Sequence, residues 1–285
     1  MLSMKVPPWQ IKFWQMPHLG DLELMHASNI THEYPRHIHE EYSIAIVLRG
    51  QETHISRGKS YKASRGSLML LNPDEAHTSK SVGTEYRVIH IPSNTLNQIA
   101  FDVAGRDVET LYFTDPVIED PSMFRSLLDL HLKLEQNASP LEQESELVST
   151  IGLLIGRQNK TRSTLRPPGR EPHGIERVQD YLKLHYAQNI TLAHLASVAN
   201  LSPFHLIRVF RNQIGVPPHE YQTQLRITHA GKLIRNGRSI SEAAHETGFF
   251  DQSHLSRNFK RITGMTPGFY LSQSNIVQDT ANRSG

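Results

Sequence analysis

Arg208 and Arg257 stand at the same place in two segments built to one plan. Residues 190–211 run Ile-Thr-Leu-Ala-His-Leu-Ala-Ser-Val-Ala-Asn-Leu-Ser-Pro-Phe-His-Leu-Ile-Arg-Val-Phe-Arg. Residues 240–260 run Ile-Ser-Glu-Ala-Ala-His-Glu-Thr-Gly-Phe-Phe-Asp-Gln-Ser-His-Leu-Ser-Arg-Asn-Phe-Lys. Aligning Phe210 with Phe259 puts the two arginines in register. A guanidinium there can pair bidentately with O6 and N7 of guanine. Arg211 and Lys260, three residues on, suit a phosphate contact better. His205 and Gln252, in the first turns of the same helices, complete the candidate DNA contacts.

Each segment reads as a short helix, a tight turn and a second helix. Ser202 and Asp251 are N-cap residues for the second helices, and Pro203 sits where its missing N–H costs nothing. Leu206 with Phe210, and Leu255 with Phe259, are four apart and point into a core. Phe204, Ile207, Arg208 and Arg211 share another face, as do Ser253, Ser256, Arg257 and Lys260. These eight are expected outward. A helix-turn-helix places its second helix in a major groove, and two in tandem read two successive grooves, about 10 bp apart. The plainer alternative is a helical bundle with a solvated basic face. Two units in register count against it.

The repeat also continues beyond the second helices: Gly215-Val-Pro-Pro then Tyr221, and Gly264-Met-Thr-Pro then Tyr270. With Ala243-Ala244, Gly248-Phe249, Ser253 and Phe259-Lys260, this makes residues 174–271 resemble the DNA-binding domain of the AraC family of bacterial transcription regulators. The resemblance implies seven helices, with a long central one joining the units. Pro217-Pro218 would start that helix, Tyr221, Leu225, Leu233 and Ile234 would be its buried stripe, and Gly237 would stop it.

The first half reads as strands. Residues 42–48, 52–56 and 67–71 are apolar or alternating runs, punctuated by Arg49-Gly50, Arg57-Gly58 and Asn72-Pro73-Asp74, the pattern of a small barrel or sandwich. His37-Ile-His39 precedes the first run and Pro73-Asp-Glu-Ala-His77 follows the third. This stretch resembles the cupin-type effector domain that often precedes an AraC-type DNA-binding domain. The resemblance brings His37, His39 and His77 together at the barrel mouth. Tyr42 would join them as a wall or hydroxyl, over an apolar lining of Ile44, Ile46 and Leu70. Metal-binding cupins place a glutamate a few residues after the His-x-His pair, whereas Glu40 and Glu41 follow His39 at once. The alternative is a three-histidine metal site with an open position. The favoured expectation is no metal and no cofactor, with the histidines bonded to one another, the backbone or an organic effector; the alternative for any one of them is a surface position on a strand edge.

Residues 121–156 shift to helical periodicity. Phe124, Leu127, Leu128, His131 and Leu134 form one stripe, and Leu147, Ile151, Leu154 and Ile155 another. In the resembled family such helices follow the barrel and often pair two subunits; they can instead pack on their own barrel, or do both, and a homodimer is expected.

Composition sets the limits. The 285 residues suffice for two cored domains. The chain has no cysteine, no secretory core at its start and no apolar run long enough for a membrane span, which fits a cytoplasmic protein. Residues 1–156 hold 13 Lys and Arg against 20 Asp and Glu; residues 174–275 hold 11 against 6. Positive charge thus sits with the repeats, where phosphate attraction needs it.

The resulting expectation is an α+β two-domain chain. A cupin-like effector-binding domain with its following helices spans 1–156, a basic linker 157–173, an all-α DNA-binding domain 174–275 and a disordered tail 276–285. It would be a regulator that binds double-stranded DNA and a small effector, not an enzyme, and the resemblance implies an activator that contacts RNA polymerase. Alternatives are a metal-dependent cupin enzyme fused to a DNA reader, or a regulator controlled by a protein partner.

Overall fold

A computed structural model describes residues 10–104, 111–136, 138–158 and 172–271. Most of the expected linker and all of the expected tail lie outside them. The described residues of 1–136 and 146–165 form one compact unit, and those of 137–145 and 166–285 another.

The first unit is an antiparallel sheet of seven strands: β1 (Gln10–Met16), β2 (Leu22–His37), β3 (Tyr42–Ser56), β4 (Lys59–Ser64), β5 (Ser67–Leu71), β6 (His77–Ile91) and β7 (Val117–Glu119). Its order is β1-β2-β6-β3-β5-β7, with β4 also paired to β3. Three helices follow within or after it: α1 (Ser93–Ala104), α2 (Pro121–Leu134) and α3 (Pro140–Gln158), the last belonging to this unit from residue 146 onward. Tyr42, Ile44, Ile46, Leu68, Leu70 and Ile89 join both helical stripes, Leu127 and Leu134 of α2 with Leu147, Ile151, Leu154 and Ile155 of α3, in one buried core. The helices therefore cover one face of the sheet.

Arg49-Gly50 is not the turn its composition suggests. β3 runs through it as one strand, with register shifts against β6 at Val47, Arg49 and Gln51. Gly50 has φ 78°, and a Cβ on it would strike the backbone at Gly83, itself at φ 57°. Two glycines facing each other let both strands kink at the same level.

The second unit is helical: α4 (Pro172–His185), α5 (Leu192–Ala199), α6 (Pro203–Ile214), α7 (Pro218–Arg235), α8 (Ile240–Glu246) and α9 (Gln252–Thr263). Helix resumes at 267–271, the seventh element the resemblance implies. The caps fall where expected. Ser202 Oγ accepts from the His205 N–H, and an Asp251 carboxylate oxygen accepts from the His254 N–H. Ser239 and Glu242 make a capping box on α8. Ile227, Ala230, Ile234, Ala243, Phe249, Leu255 and Phe259 build the core around α7.

The buried stripe of α7 differs from expectation. Tyr221, Leu225 and Leu233 are only half-buried, while Gln222 and Arg226 are buried with Ile234. The polar pair is satisfied by the loop before α5. Gln222 Nε2 donates at 3.0 Å to the carbonyls of Tyr186 and Gln188, and Arg226 donates to the same two at 2.7 and 2.9 Å. A hydrophobic count overlooks such positions because the loop's carbonyls, not apolar area, hold them.

Candidate functional site

The face of the sheet opposite the helices carries a half-open cavity of about 470 Å³, lined from β1, β2, β3, β5 and β6. His37, His39 and His77 all line it, so the three expected histidines meet. Strand register explains why: His37, closing β2, is the direct partner of His77, opening β6. His39 follows in the loop after β2, which is tied across by the Asp74 N–H donating to the His39 carbonyl at 2.8 Å. One ring nitrogen from each of the three lies within 4.8 Å of the other two. His37 Nδ1 is 2.8 Å from the Pro35 carbonyl and His77 Nδ1 is 3.0 Å from that of Glu75. Both contacts fix the proton on Nδ1, because a carbonyl oxygen only accepts.

Tyr42 does not belong to this site. It is fully buried in the helix-side core, and its hydroxyl donates to the Leu111 carbonyl at 2.5 Å. Ile44, Ile46 and Leu70 share that face. The cavity is lined instead by the alternate residues Ser43, Ala45, Val47, Met69 and Leu71. The expected apolar lining was one residue out of step, and a one-residue slip turns every side chain to the other face.

Sequence reasoning missed His54, His90 and Glu52. His90 could have been found once the face was right, since it pairs with Ser43 across β3 and β6 and its Nδ1 lies 2.9 Å from Ser43 Oγ. His54 and Glu52 obey no simple alternation. On β3 the cavity face carries odd-numbered residues before Gly50 and even-numbered ones after it, because the kink swaps the faces. The His54 ring lies 4.8 Å from that of His77, and His39 lies 5.8 Å from His90, centroid to centroid.

The electrostatics of this cavity are unusual. Burial, and then the neighbouring histidines, push His39 down to about 4; burial does the same for His90, and burial with His77 nearby for His54. These imidazoles are neutral at pH 7. Glu52 is buried, which raises its carboxyl, and it accepts a 2.5 Å hydrogen bond from Ser81 Oγ. Glu23 and Glu41 also line the space, and no Lys or Arg is among its described lining residues. Such a site favours neutral or cationic groups and offers several nitrogen donors.

In the second unit, α9 presents Gln252, Ser253, Arg257 and Lys260 exposed and Ser256 half-buried, as expected. On α6, Arg211 is exposed and His205 and Arg208 are half-buried. Phe204 and Ile207 correct the expectation: they are only 3% and 4% exposed. Their places match Ser253 and Ser256, but apolar side chains gain by turning into the core, so the two units are less alike than their spacing implies. The Arg208 guanidinium lies 5.6 Å from the Phe204 ring centre, which holds its stem against the helix.

Comparisons with known proteins match both units. Residues 19–151 match the AraC-like ligand binding domain and residues 195–273 a helix-turn-helix domain. An uncharacterized HTH-type transcriptional regulator, YbfI of Bacillus subtilis, is 30% identical over 84% of this chain and 87% of its own length. The HTH-type transcriptional activator RhaR of Escherichia coli is 26% identical over 82% of this chain and 86% of its own. No helix among the described residues is long and apolar enough to cross a membrane. With an effector-binding sheet domain followed by two DNA-binding helix-turn-helix units, the chain belongs to the AraC family of transcriptional regulators.

Proposed function

We propose that this regulator activates transcription in the cytoplasm when a small neutral or cationic molecule occupies the histidine-lined cavity. The carrying observation is the cavity itself: about 470 Å³, with apolar residues such as Met25, Val47 and Met69 beside five histidines and three glutamates, a concave site of the size a small molecule needs and rich in convergent polar groups. An effector regulates only through unequal affinity for the DNA-competent and incompetent states. The name of RhaR as an activator supports activation, with RNA polymerase as the partner it would contact. The chain would not be an enzyme; its relatives are regulators.

DNA would be read by Arg208 with His205 on α6, and by Gln252, Ser253, Ser256 and Arg257 on α9. Arg211 and Lys260 would hold phosphates. Self-association would use what α2 and α3 leave uncovered, where Leu132 and Leu153 are exposed. Sedimentation of the full chain checks this, and a strict monomer at tens of micromolar removes it.

The test of the sensing site is a double variant, His39→Ala with His77→Ala. It keeps promoter affinity and a cooperative melt but loses the response to inducer. A folded variant that still responds places sensing elsewhere.

A further inference from the structure

We propose that His37, His39 and His77 bind one divalent transition-metal ion of the zinc, cobalt and nickel class, with a coordination position open to the cavity. Three observations converge on it. The first is placement: one ring nitrogen of each histidine already lies within 4.8 Å of the other two. Nitrogens around a tetrahedral ion at about 2.1 Å stand about 3.4 Å apart, so modest ring rotation closes the set.

The second is orientation. His37 and His77 spend Nδ1 on the carbonyls of Pro35 and Glu75, which points Nε2 as the ligating atom. A metal-bound histidine characteristically donates its other N–H to a carbonyl or carboxylate, which locks the tautomer and aims the ring. The hydrogen bonding favoured from sequence and a metal site are therefore compatible, because they use opposite nitrogens. Strand register holds both rings in place, His37 and His77 being direct partners across β2 and β6.

The third is the surroundings. Glu23, Glu41 and Glu52 line the cavity, and no Lys or Arg is among its described lining residues. The field there is attractive to a cation. Imidazole donors without carboxylate in the set select zinc, cobalt, nickel or copper over magnesium or calcium. Three protein ligands leave a position facing the cavity, to which an oxygen or nitrogen of the effector can bind. That role rests on the cavity being the effector site; ion binding does not.

The experiment uses the full chain, stripped with EDTA and titrated with Co²⁺ alone, in the absence of effector and DNA. Expected are one Co²⁺ per chain, the visible bands of a four- or five-coordinate nitrogen-ligated ion, and a change in those bands when azide is added to occupy the open position. His37→Gln and His77→Gln each weaken uptake at least tenfold, as loss of a ligand should. His173→Gln, on an exposed ring outside the first unit, leaves it unchanged. No stoichiometric uptake, or full uptake in a folded His37→Gln/His77→Gln variant, overturns the proposal. If that variant does not fold, the wild-type spectrum decides: octahedral bands unmoved by azide overturn it. A gel shift on the same stripped protein reports DNA binding separately, so a missing metal site and a failed regulator are told apart.

Discussion

At the scale of single residues, Arg257 and Lys260 lie one helical turn apart on α9, both exposed, yet their replacement should have different consequences. Arg257→Ala is expected to cost roughly 1–3 kcal/mol of specific affinity and to relax preference at one base pair. Lys260→Ala should weaken binding to every sequence and lower the salt slope. A gel-shift series over base-substituted sites and salt concentrations separates the two. Tyr42 makes the contrasting case. Tyr42→Phe leaves the buried Leu111 carbonyl without its donor, which should cost about 1–3 kcal/mol of stability without changing the response to inducer. The types of these residues were legible in the sequence; the faces were less so. Arg257 and Ser253 came out correctly because polar side chains on a short helix go outward. Phe204 and Ile207 did not, because spacing alone cannot say which of two apolar stripes a core will claim.

At the scale of elements, the N-caps of α6 and α9 were the clearest part of the sequence. Ser202 and Asp251 sit where short-range chemistry demands them, and such chemistry is decided within four residues; the Ser239–Glu242 box obeys the same rule but was not read from the sequence. Asp251→Ala should cost about 1 kcal/mol of stability through the lost cap on α9. Gly248→Ala should cost more. Gly248 adopts φ 79°, and a Cβ there would run into the carbonyl of Ala187, so strain and clash add. Urea melts followed by helical circular dichroism rank the two variants; equal effects would show that the turn can relax. Strand faces were harder to read. Alternation identifies β3 and β5 as strands but not which parity faces the helices, and the Gly50–Gly83 kink reverses it halfway along. His54 and Glu52 therefore enter the cavity against the pattern. That information resides in the pairing of two strands separated by some thirty residues, beyond the reach of any local window.

At the scale of the whole molecule, the two units invite separate tests. Trp14 on β1 packs against the core of the sheet unit and no tryptophan lies beyond it in the chain, so its fluorescence reports on that unit. His39 and His54 are pushed down to about 4 by burial and then by neighbouring histidines, and His90 to about 4 by burial, from an ordinary 6.5. A lowered folded pKa means that the unfolded chain takes up the proton first. The stabilisation is thus fully present above about 6.5 and lost progressively as pH falls towards 4. Metal-free protein in EDTA should show the tryptophan-detected melt falling across that window, and a flat profile would mean that these rings protonate without penalty. Charge asymmetry and the repeat made the two-part organisation readable from the sequence, because both are properties of long stretches that no single misplaced face can spoil. The central claim, that α6 and α9 read two successive grooves, is tested most directly by hydroxyl-radical footprinting of the full chain on its promoter, beside Arg208→Ala and Arg257→Ala. The expected result is two protected patches about 10 bp apart, each variant relaxing base preference in one patch only. A single patch, or two variants that alter the same patch or neither, would contradict it.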